Sequence, residues 1–442
     1  MPAFRRPQPA PGISCVLALA LLLAPRPGLQ AQRLTAAERK VVRYVGEQSG
    51  AALGLLEKAV NINSGTGNHE GVRQVGALFR QELDGLGFAT RWIDMPDSVN
   101  RAGHLFAERR GTKGKRVLLI GHLDTVFEKD SPFQQFVRTD SVFRGPGVND
   151  MKGGDVVILY ALKALHAAGL LDNTQIIVAF TGDEESTGKP LGISRKDLIE
   201  AAQRSDAALA FETATGFGEA TVARRGSSNW RLEVTGNQAH SAGVFSPRVG
   251  DGAIYEAARI LNAFHDELKG EQYLTFNPGT ILGGTEINFD ATAGTGQVSG
   301  KGNIVARTAV VSGDLRFISE AQKERTREKM RGIVSRSLPG TSAKIIFQDS
   351  YPAMPPTPGN EALLAQLNQV SLDLGHGPVK PYDPGARGAG DVSFVAPYTS
   401  GLDGLGTMGS GAHSPNETMN PKTFQALTQR AALLIYRLTK GS

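Results

Sequence analysis

The chain has 442 residues and a formal net charge of +5, with aromatic residues at 7% of the total. Three of the positive charges lie in the first 31 residues, without an acidic residue among them, so about +2 remains for the rest, too little for a nucleic-acid-binding surface. The few aromatic residues are scattered, which also excludes a platform for stacking bases.

The first 32 residues have the order and proportions of a signal peptide. Arg5 and Arg6 precede an apolar run at residues 13–24, and the small residue Ala31 precedes a polar stretch. The run is shorter than the roughly 20 residues of a membrane span, and the only cysteine, Cys15, lies inside it. We therefore expect a periplasmic or secreted protein of about 410 residues, without disulfides or a membrane anchor.

Helical and strand-like patterns alternate in the first half of the chain. Apolar residues at spacings of three and four predict helices within residues 34–88, and another helix is predicted at 154–168. Short apolar runs predict strands at 116–120, 175–180 and 207–211. This alternation indicates an α/β domain with a largely parallel sheet between helices. Because ligands gather beyond the carboxyl ends of such strands, we expect the functional site there.

The pattern changes after residue 224. A β-α-β-β-α-β order predicts a two-layer α+β unit inserted into the larger domain. We expect a signal peptide at 1–32, a catalytic domain formed by 33–224 and 351–442, and an inserted lid or dimerisation domain at 225–350. The Pro-rich stretch 352–358 would return the chain to the first domain. The predicted strands of the inserted unit are 227–234, 279–287, 303–317 and 343–347, and its helices are 251–264 and 319–338.

Seven side chains with metal-binding or proton-transfer chemistry follow predicted strands or lie in Gly-rich loops. Imidazole and carboxylate together suit zinc and similar divalent ions, and a further carboxylate beside the ligands can move protons. One of these carboxylates, Asp150, precedes a predicted helix, where the positive end of the helix dipole favours it. The seven residues are His122, Asp124, Asp150, Glu184, Glu185, Glu212 and His413.

These residues belong to five short motifs, and a sixth carries His240. The six motifs are residues 121–126, 149–154 and 183–185, Glu212, residues 238–243, and the late Gly-rich loop with His413. In this order they closely resemble the co-catalytic zinc exopeptidase family, which includes bacterial glutamate carboxypeptidase, peptidase T, succinyl-diaminopimelate desuccinylase and aminoacylase. The resemblance extends from Asn61 to the C-terminus. Any one motif is a weak signal, but six in order are a strong one.

The resemblance implies a pair of zinc ions in each subunit. One ion would be held by His122 and Glu212, the other by Glu185 and His413. Asp150 would bridge them. Two metal ions held together in this way can activate a water and stabilise negative charge on the substrate.

The resemblance also implies roles for residues around the ions. Glu184 would be the general base, a role for a carboxylate that lies near the metal without binding it. Asp124 would orient the imidazole of His122. His240 would donate to the oxyanion, in relatives typically across a dimer, so we expect a homodimer through the inserted domain. Asn303, at the start of a predicted strand, would contact the substrate.

One departure from the family pattern concerns the substrate. Glutamate carboxypeptidase-like members tend to carry an arginine directly before a Pro-Ala pair at the end of the inserted domain, where it can grip a carboxylate in a fork. Here Tyr351 precedes Pro352 and Ala353. Either another arginine, Arg387 or Arg316, supplies this grip, or the substrate does not end in an acidic residue.

The expected function is that of an exported dizinc amide hydrolase, a carboxypeptidase acting on small peptides or N-acylated amino acids. An aminoacylase-type deacylase or a dipeptidase with the same metal site is the alternative. A non-catalytic solute-binding protein would give no reason for Glu184 to accompany a full set of ligands. Histidines outside the motifs are expected to be solvated or capping residues. They are His69, His104, His166, His265 and His376.

Overall fold

A computed structural model describes residues 31–291 and 293–441. The predicted signal peptide, apart from its last two residues, lies outside the described residues. Within the described ranges, none of the helices combines the length and the hydropathy needed to cross a membrane.

Helices and strands alternate along the described chain. The helices are α1 (Ala36–Val60), α2 (His69–Gly85), α3 (Lys152–Ala167), α4 (Leu191–Ser194), α5 (Lys196–Gln203), α6 (Ala253–Leu268), α7 (Glu320–Val334), α8 (Pro358–Asp373), α9 (Val392–Val395) and α10 (Pro421–Thr439). The strands are β1 (Ala89–Ile93), β2 (His104–Arg109), β3 (Lys113–His122), β4 (Val137–Arg138), β5 (Phe143–Arg144), β6 (Thr174–Thr181), β7 (Ala207–Ala210), β8 (Glu219–Ala220), β9 (Gly226–Gly236), β10 (Thr275–Gly284), β11 (Glu286–Asp290), β12 (Thr295–Ser299), β13 (Thr308–Phe317), β14 (Thr341–Asp349), β15 (Lys380–Pro381), β16 (Gly401–Leu402), β17 (Gly409–Ser410) and β18 (Thr418–Met419).

The larger sheet has six strands in the order β1-β2-β6-β3-β7-β16. The four strands from β6 to β16 are parallel, and β2 pairs with β6 in the antiparallel direction. In β3 every residue from Val117 to His122 is buried. Such continuous burial is expected for a strand covered on both faces.

Helices cover both faces of this sheet. One core contains apolar side chains of α1, α2, α3 and α10 together with one face of the strands, including Val117 and Leu119. A second core lies on the other face, where Leu118 and Ile120 pack with α5 and α9. The α/β architecture predicted from the sequence is confirmed, with β2 as the antiparallel exception.

A second sheet is formed by residues between 226 and 349. Its order is β10-β13-β9-β14, and all three pairings are antiparallel. Burial alternates along β9, whose Trp230, Leu232 and Val234 pack against α6 and α7. The alternation leaves the other face of the sheet more exposed. These elements form the predicted two-layer α+β unit, while its domain boundaries stay a prediction.

Two strand predictions in this unit were wrong. The predicted strand 279–287 is broken at Thr285, after which β11 begins an additional hairpin with β12. The predicted strand 303–317 begins only at Thr308. Before it, Ile304 N donates to Lys301 O at 3.0 Å and Val305 N donates to Ala239 O at 2.8 Å. Residues 303–307 therefore pair with the loop that carries His240 instead of extending the strand.

Candidate metal centre

The chemistry-bearing residues of the first half lie at one edge of the larger sheet. His122 is the last residue of β3, Glu184 and Glu185 follow β6, and Glu212 follows β7. Because these three strands are parallel, their carboxyl ends meet at the same edge. The motifs therefore converge although about 30 residues or more separate them along the chain.

Five of the predicted ligands form two groups that share Asp150. His122 Nε2 lies 3.4 Å from Asp150 Oδ1 and 3.8 Å from Glu212 Oε1. His413 Nε2 lies 3.2 Å from Asp150 Oδ2 and 3.0 Å from Glu185 Oε2. Within each group the possible ligand atoms lie within 4.8 Å of one another. Each oxygen of Asp150 thus faces a different imidazole.

The imidazole of His122 is oriented so that its Nε2 can bind a cation. Its Nδ1 lies 3.0 Å from the carbonyl oxygen of Asp124. A carbonyl can only accept a hydrogen bond, so Nδ1 carries a proton, and in the neutral imidazole Nε2 presents its lone pair. Nε2 is buried and has no hydrogen-bond partner among the described residues. A buried nitrogen in this state, facing two carboxylates, fits a metal ligand.

Negative charge is concentrated in the centre. Burial and then the charge of Asp150 raise the pKa of Glu212 to about 7. Hydrogen bonds that the His413 imidazole donates to the carboxylates of Asp150 and Glu185 raise the pKa of His413 to about 11. Mutual repulsion of buried carboxylates disfavours their ionised forms. A divalent cation in each group would remove this repulsion, so the donors fit a pair of metal ions.

The two groups differ in their access to solvent. The side chain of His122 is 1% exposed, whereas that of His413 is 59% exposed. The centre therefore opens on the side of His413. His413 also has a left-handed backbone, with φ of +62°, a conformation that non-glycine residues rarely adopt outside constrained sites.

Glu417 connects the His413 loop to the Asp150 loop. Its carboxylate accepts hydrogen bonds from the backbone N–H groups of Gly147, Asn149 and Asp150 at 3.2, 2.9 and 3.0 Å. The side chain is almost fully buried, and burial raises its pKa to about 7. Glu417 thereby fixes the two loops that carry Asp150 and His413. The peptide bond between Asp150 and Met151 is cis.

Gly154 brings α3 close to the end of β7. A Cβ atom at this position would lie 2.0 Å from the carbonyl oxygen of Phe211, far inside van der Waals contact. Only glycine permits this approach. Since Asp150 lies two residues before α3 and Glu212 directly follows Phe211, the close approach brings these two carboxylates together.

Asp124 has two contacts with the centre. Its Oδ1 lies 3.4 Å from Nδ1 of His122. Its carboxylate also accepts hydrogen bonds from the backbone N–H groups of Glu184 and Glu185 at 3.0 and 3.1 Å, and from the hydroxyl of Thr66 at 2.7 Å. Asp124 thus fixes the loop of residues 182–188 in addition to the imidazole.

A buried network of ion pairs and hydrogen bonds also anchors the 182–188 loop. The guanidinium of Arg195 contacts Asp183 at 2.5 Å and Asp391 at 2.8 Å, and the side chains of Arg195 and Asp183 are fully buried. Asp183 also accepts hydrogen bonds from Ser194 Oγ and from Gly188 N. Asp183 belongs to the 183–185 motif, but Arg195 and Asp391 were not singled out from the sequence, because only the fold brings them together.

The expectation that His104 is a solvated or capping residue was wrong. His104 is 1% exposed. Its Nδ1 accepts a hydrogen bond from Gly182 N at 3.1 Å, so Nε2 carries the proton and donates to Ser194 O at 2.9 Å. Its position at the start of the apolar strand β2, directly before Leu105, was the one signal of burial that the sequence offered.

His240 and Asn303 lie together in the second unit, whereas the five predicted ligands lie outside residues 226–349. Ser241 N donates to Asn303 O at 2.9 Å, and His240 forms an isolated bridge with Ile304. The His240 ring is exposed and accepts a hydrogen bond from Ala242 N. Among the described residues, neither has a hydrogen bond to the metal centre.

Arg387 lies next to the centre. Its Nη2 donates to Thr213 O at 3.1 Å, directly beside Glu212. Its Nε is buried and has no partner among the described residues. Asp403, 3.9 Å away, already pairs with Arg224 at 2.6 Å. Arg387 is therefore incompletely neutralised, whereas Arg316 pairs with Asp314 on β13.

The chain is similar to known hydrolase sequences over most of its length. The sequence model described as Peptidase family M20/M25/M40 matches residues 118–437. Carboxypeptidase G2 from Pseudomonas sp. (strain RS-16) is 30% identical over 410 residues, covering 89% of this chain and 91% of that protein. Succinyl-diaminopimelate desuccinylase from Gluconacetobacter diazotrophicus is 25% identical over 366 residues, covering 80% and 89%.

Solved structures share the fold. Aminopeptidase PepT from Bacillus cereus superimposes with a TM-score of 0.71 at 17% identity, covering 89% of this chain and 99% of that one. YXEP from Bacillus subtilis, described as a dinuclear metal-binding peptidase, gives a TM-score of 0.62 at 14% identity, covering 90% and 100%.

The Arg195 network leads to a prediction about stability. Replacing Arg195 with methionine leaves Asp183 and Asp391 buried without their cation, so we expect the free energy of unfolding to fall by about 3–5 kcal/mol. Urea denaturation measures this change. The matched control is Arg204→Met, which removes a half-exposed ion pair with Glu108 and should cost at most about 1 kcal/mol. Equal losses in the two variants would contradict the anchoring role.

Proposed function

The chain belongs to Peptidase family M20/M25/M40, and from this premise we propose that it is an exported hydrolase that cleaves an amide bond in small peptides or N-acylated amino acids with the help of two zinc ions. One observation carries the proposal: the two oxygens of Asp150 face two separate imidazole–carboxylate pairs. Export is proposed from the signal-like first 32 residues.

The ligand chemistry supports zinc. Each group offers one imidazole nitrogen and two carboxylates, a donor set that suits zinc among the divalent ions. We assign one ion to His122 and Glu212, the other to Glu185 and His413, and the bridge to Asp150. Two such ions, when bound, activate water for attack and stabilise negative charge on the substrate oxygen.

Glu184 is the proposed general base. Its neighbour Glu185 belongs to a ligand group, whereas Glu184 does not. Burial and then the charge of Glu212 raise the pKa of Glu184 well above its ordinary value. A carboxylate with a raised pKa is a better proton acceptor. Glu184 would take a proton from the attacking water and deliver it to the nitrogen of the departing amine.

We favour a carboxypeptidase of the glutamate carboxypeptidase type. The resemblance to carboxypeptidase G2 over nearly the whole chain supports this choice. Arg387, incompletely neutralised and adjacent to Glu212, is the proposed partner of the substrate's terminal carboxylate. Asn303, beside His240, is the proposed contact to another part of the substrate.

The alternative is a deacylase or dipeptidase with the same centre, supported by the resemblance to succinyl-diaminopimelate desuccinylase. A hydrolysis panel that compares dipeptides and N-acyl amino acids, each as free acid and as C-terminal amide, separates the carboxypeptidase from the deacylase. A carboxypeptidase that binds the terminal carboxylate should cleave the free-acid dipeptides and lose the amides. Cleavage restricted to the N-acyl amino acids would favour the deacylase.

Glu184→Gln tests the base directly. Glutamine keeps the shape of the side chain but cannot accept the proton, so we expect turnover to fall by about 10²–10⁴-fold with unchanged metal content. Metal analysis and steady-state kinetics measure the two effects. In the control, Glu185→Gln, metal content itself should fall. Unchanged turnover in Glu184→Gln would falsify the base assignment.

We further propose that the protein acts as a homodimer through its second sheet unit. Large apolar side chains are exposed there, which is typical of an interaction surface. Phe245 and Tyr255 are 63% and 58% exposed, and their rings are in contact at 5.6 Å. Ile254, Ile281 and Val298 are exposed nearby in the same unit.

His240 would then act in the partner's active site. His240→Ala should keep its metal ions and lose turnover, because the proposed oxyanion donor is absent. Mixing it with inactive Asp150→Ala should restore about a quarter of the wild-type activity when subunits exchange at random, since one site of each mixed dimer is complete. If the mixture stays inactive although the subunits exchange, His240 does not act across a dimer.

A further inference from the structure

Tyr351 lies where the chain leaves the second sheet. It follows β14, and its carbonyl accepts a hydrogen bond from Ser227 N at 2.8 Å, next to the start of β9. Shortly after, Met354 and Arg224 exchange backbone hydrogen bonds at 3.0 and 2.9 Å. The outgoing and incoming chains thus run side by side, and Tyr351 belongs to the connection between the two sheets.

The side chain of Tyr351 reaches the 182–188 loop of the metal centre. Its hydroxyl donates to the carbonyl oxygen of Glu184 at 2.7 Å and forms a second hydrogen bond with Thr187 Oγ1 at 2.5 Å. Its ring packs against Phe394 at 5.0 Å, and the guanidinium of Arg195 lies 5.5 Å from the centre of the Phe394 ring. The phenol is therefore fixed by contacts on both its ring and its hydroxyl.

These contacts hold one peptide group from two sides. The carbonyl of Glu184 and the N–H of Glu185 belong to the same peptide unit. Tyr351 binds the carbonyl, and Asp124 accepts the N–H at 3.1 Å. This peptide unit joins Glu184, the proposed base, to Glu185, a proposed ligand. Its orientation therefore determines the directions in which the two carboxylates point.

We propose that Tyr351 is a positioning residue, which holds the backbone of Glu184 so that this carboxylate is placed for proton transfer. The inference rests on the proposed function, in which Glu184 is the general base. Burial and then the charge of Glu184 raise the pKa of Tyr351 well above its ordinary value, so its hydroxyl remains a donor at any pH at which the protein would act.

Tyr351→Phe removes only the hydroxyl. Because the hydroxyl acts on the placement of the base and not on substrate binding, we expect kcat to fall by about three- to tenfold while KM and metal content stay unchanged. Tyr398→Phe is the control, since Tyr398 is 48% exposed and should keep wild-type kinetics. A wild-type kcat in Tyr351→Phe, or a rise in KM alone, would overturn the proposal.

A second comparison separates positioning from a general structural effect. In the Glu184→Gln background, Tyr351→Phe should cause no further loss of the residual turnover, because the group that it positions is already disabled. An equal further loss in that background would overturn the proposal. If Glu184→Gln retained full activity, the assignment of Glu184 as the general base would be wrong, and the proposed function would fail with it. If Glu184→Gln were inactive but Tyr351→Phe were fully active, only the positioning role of Tyr351 would be wrong.

Discussion

The shared carboxylate of Asp150 is the contact on which the centre depends. Its Oδ1 faces His122 and its Oδ2 faces His413, so one side chain connects a predicted ligand at the end of β3 with a predicted ligand from the late Gly-rich loop. Gly154 brings this carboxylate close to Glu212, and Glu417 fixes its loop through three backbone N–H groups. A pair of cations bridged by a carboxylate can act together on one substrate.

Around the ligands, buried polar contacts fix the loop that carries the proposed base. The carboxylate of Asp124 accepts hydrogen bonds from the backbone N–H groups of Glu184 and Glu185 in this loop, and Arg195 forms a buried ion pair with Asp183 of the same loop. Tyr351 reaches the same loop from the connection between the two sheets. Catalytic groups require placement to within a fraction of an ångström, and contacts of this kind supply it. The loop is therefore held both by residues of the larger domain and by the connection between the two sheets, a condition for two neighbouring glutamates to serve different purposes.

The sequence predicted the layers from local apolar patterns, whereas it predicted the full ligand set only through the resemblance of six motifs to a known family. Apolar runs mark β3 and β6, and the side chains that follow them converge at one sheet edge. The hairpin β11–β12 was missed although Ile287 and Phe289 alternate with polar residues in β11, because its partner β12 is fully exposed and lacks apolar alternation. The pairing of Arg195 with Asp391 was also missed, since 196 residues separate them. Such contacts depend on the tertiary fold and leave no local pattern.

The position of the metal ions tests the central claim most directly. Crystals of the zinc-loaded protein, with anomalous diffraction recorded at the zinc edge, would locate them. The account predicts two peaks on opposite sides of the Asp150 carboxylate, one bound by His122 and Glu212 and the other by Glu185 and His413. A single ion, or two ions that leave Asp150 unbound, would contradict it.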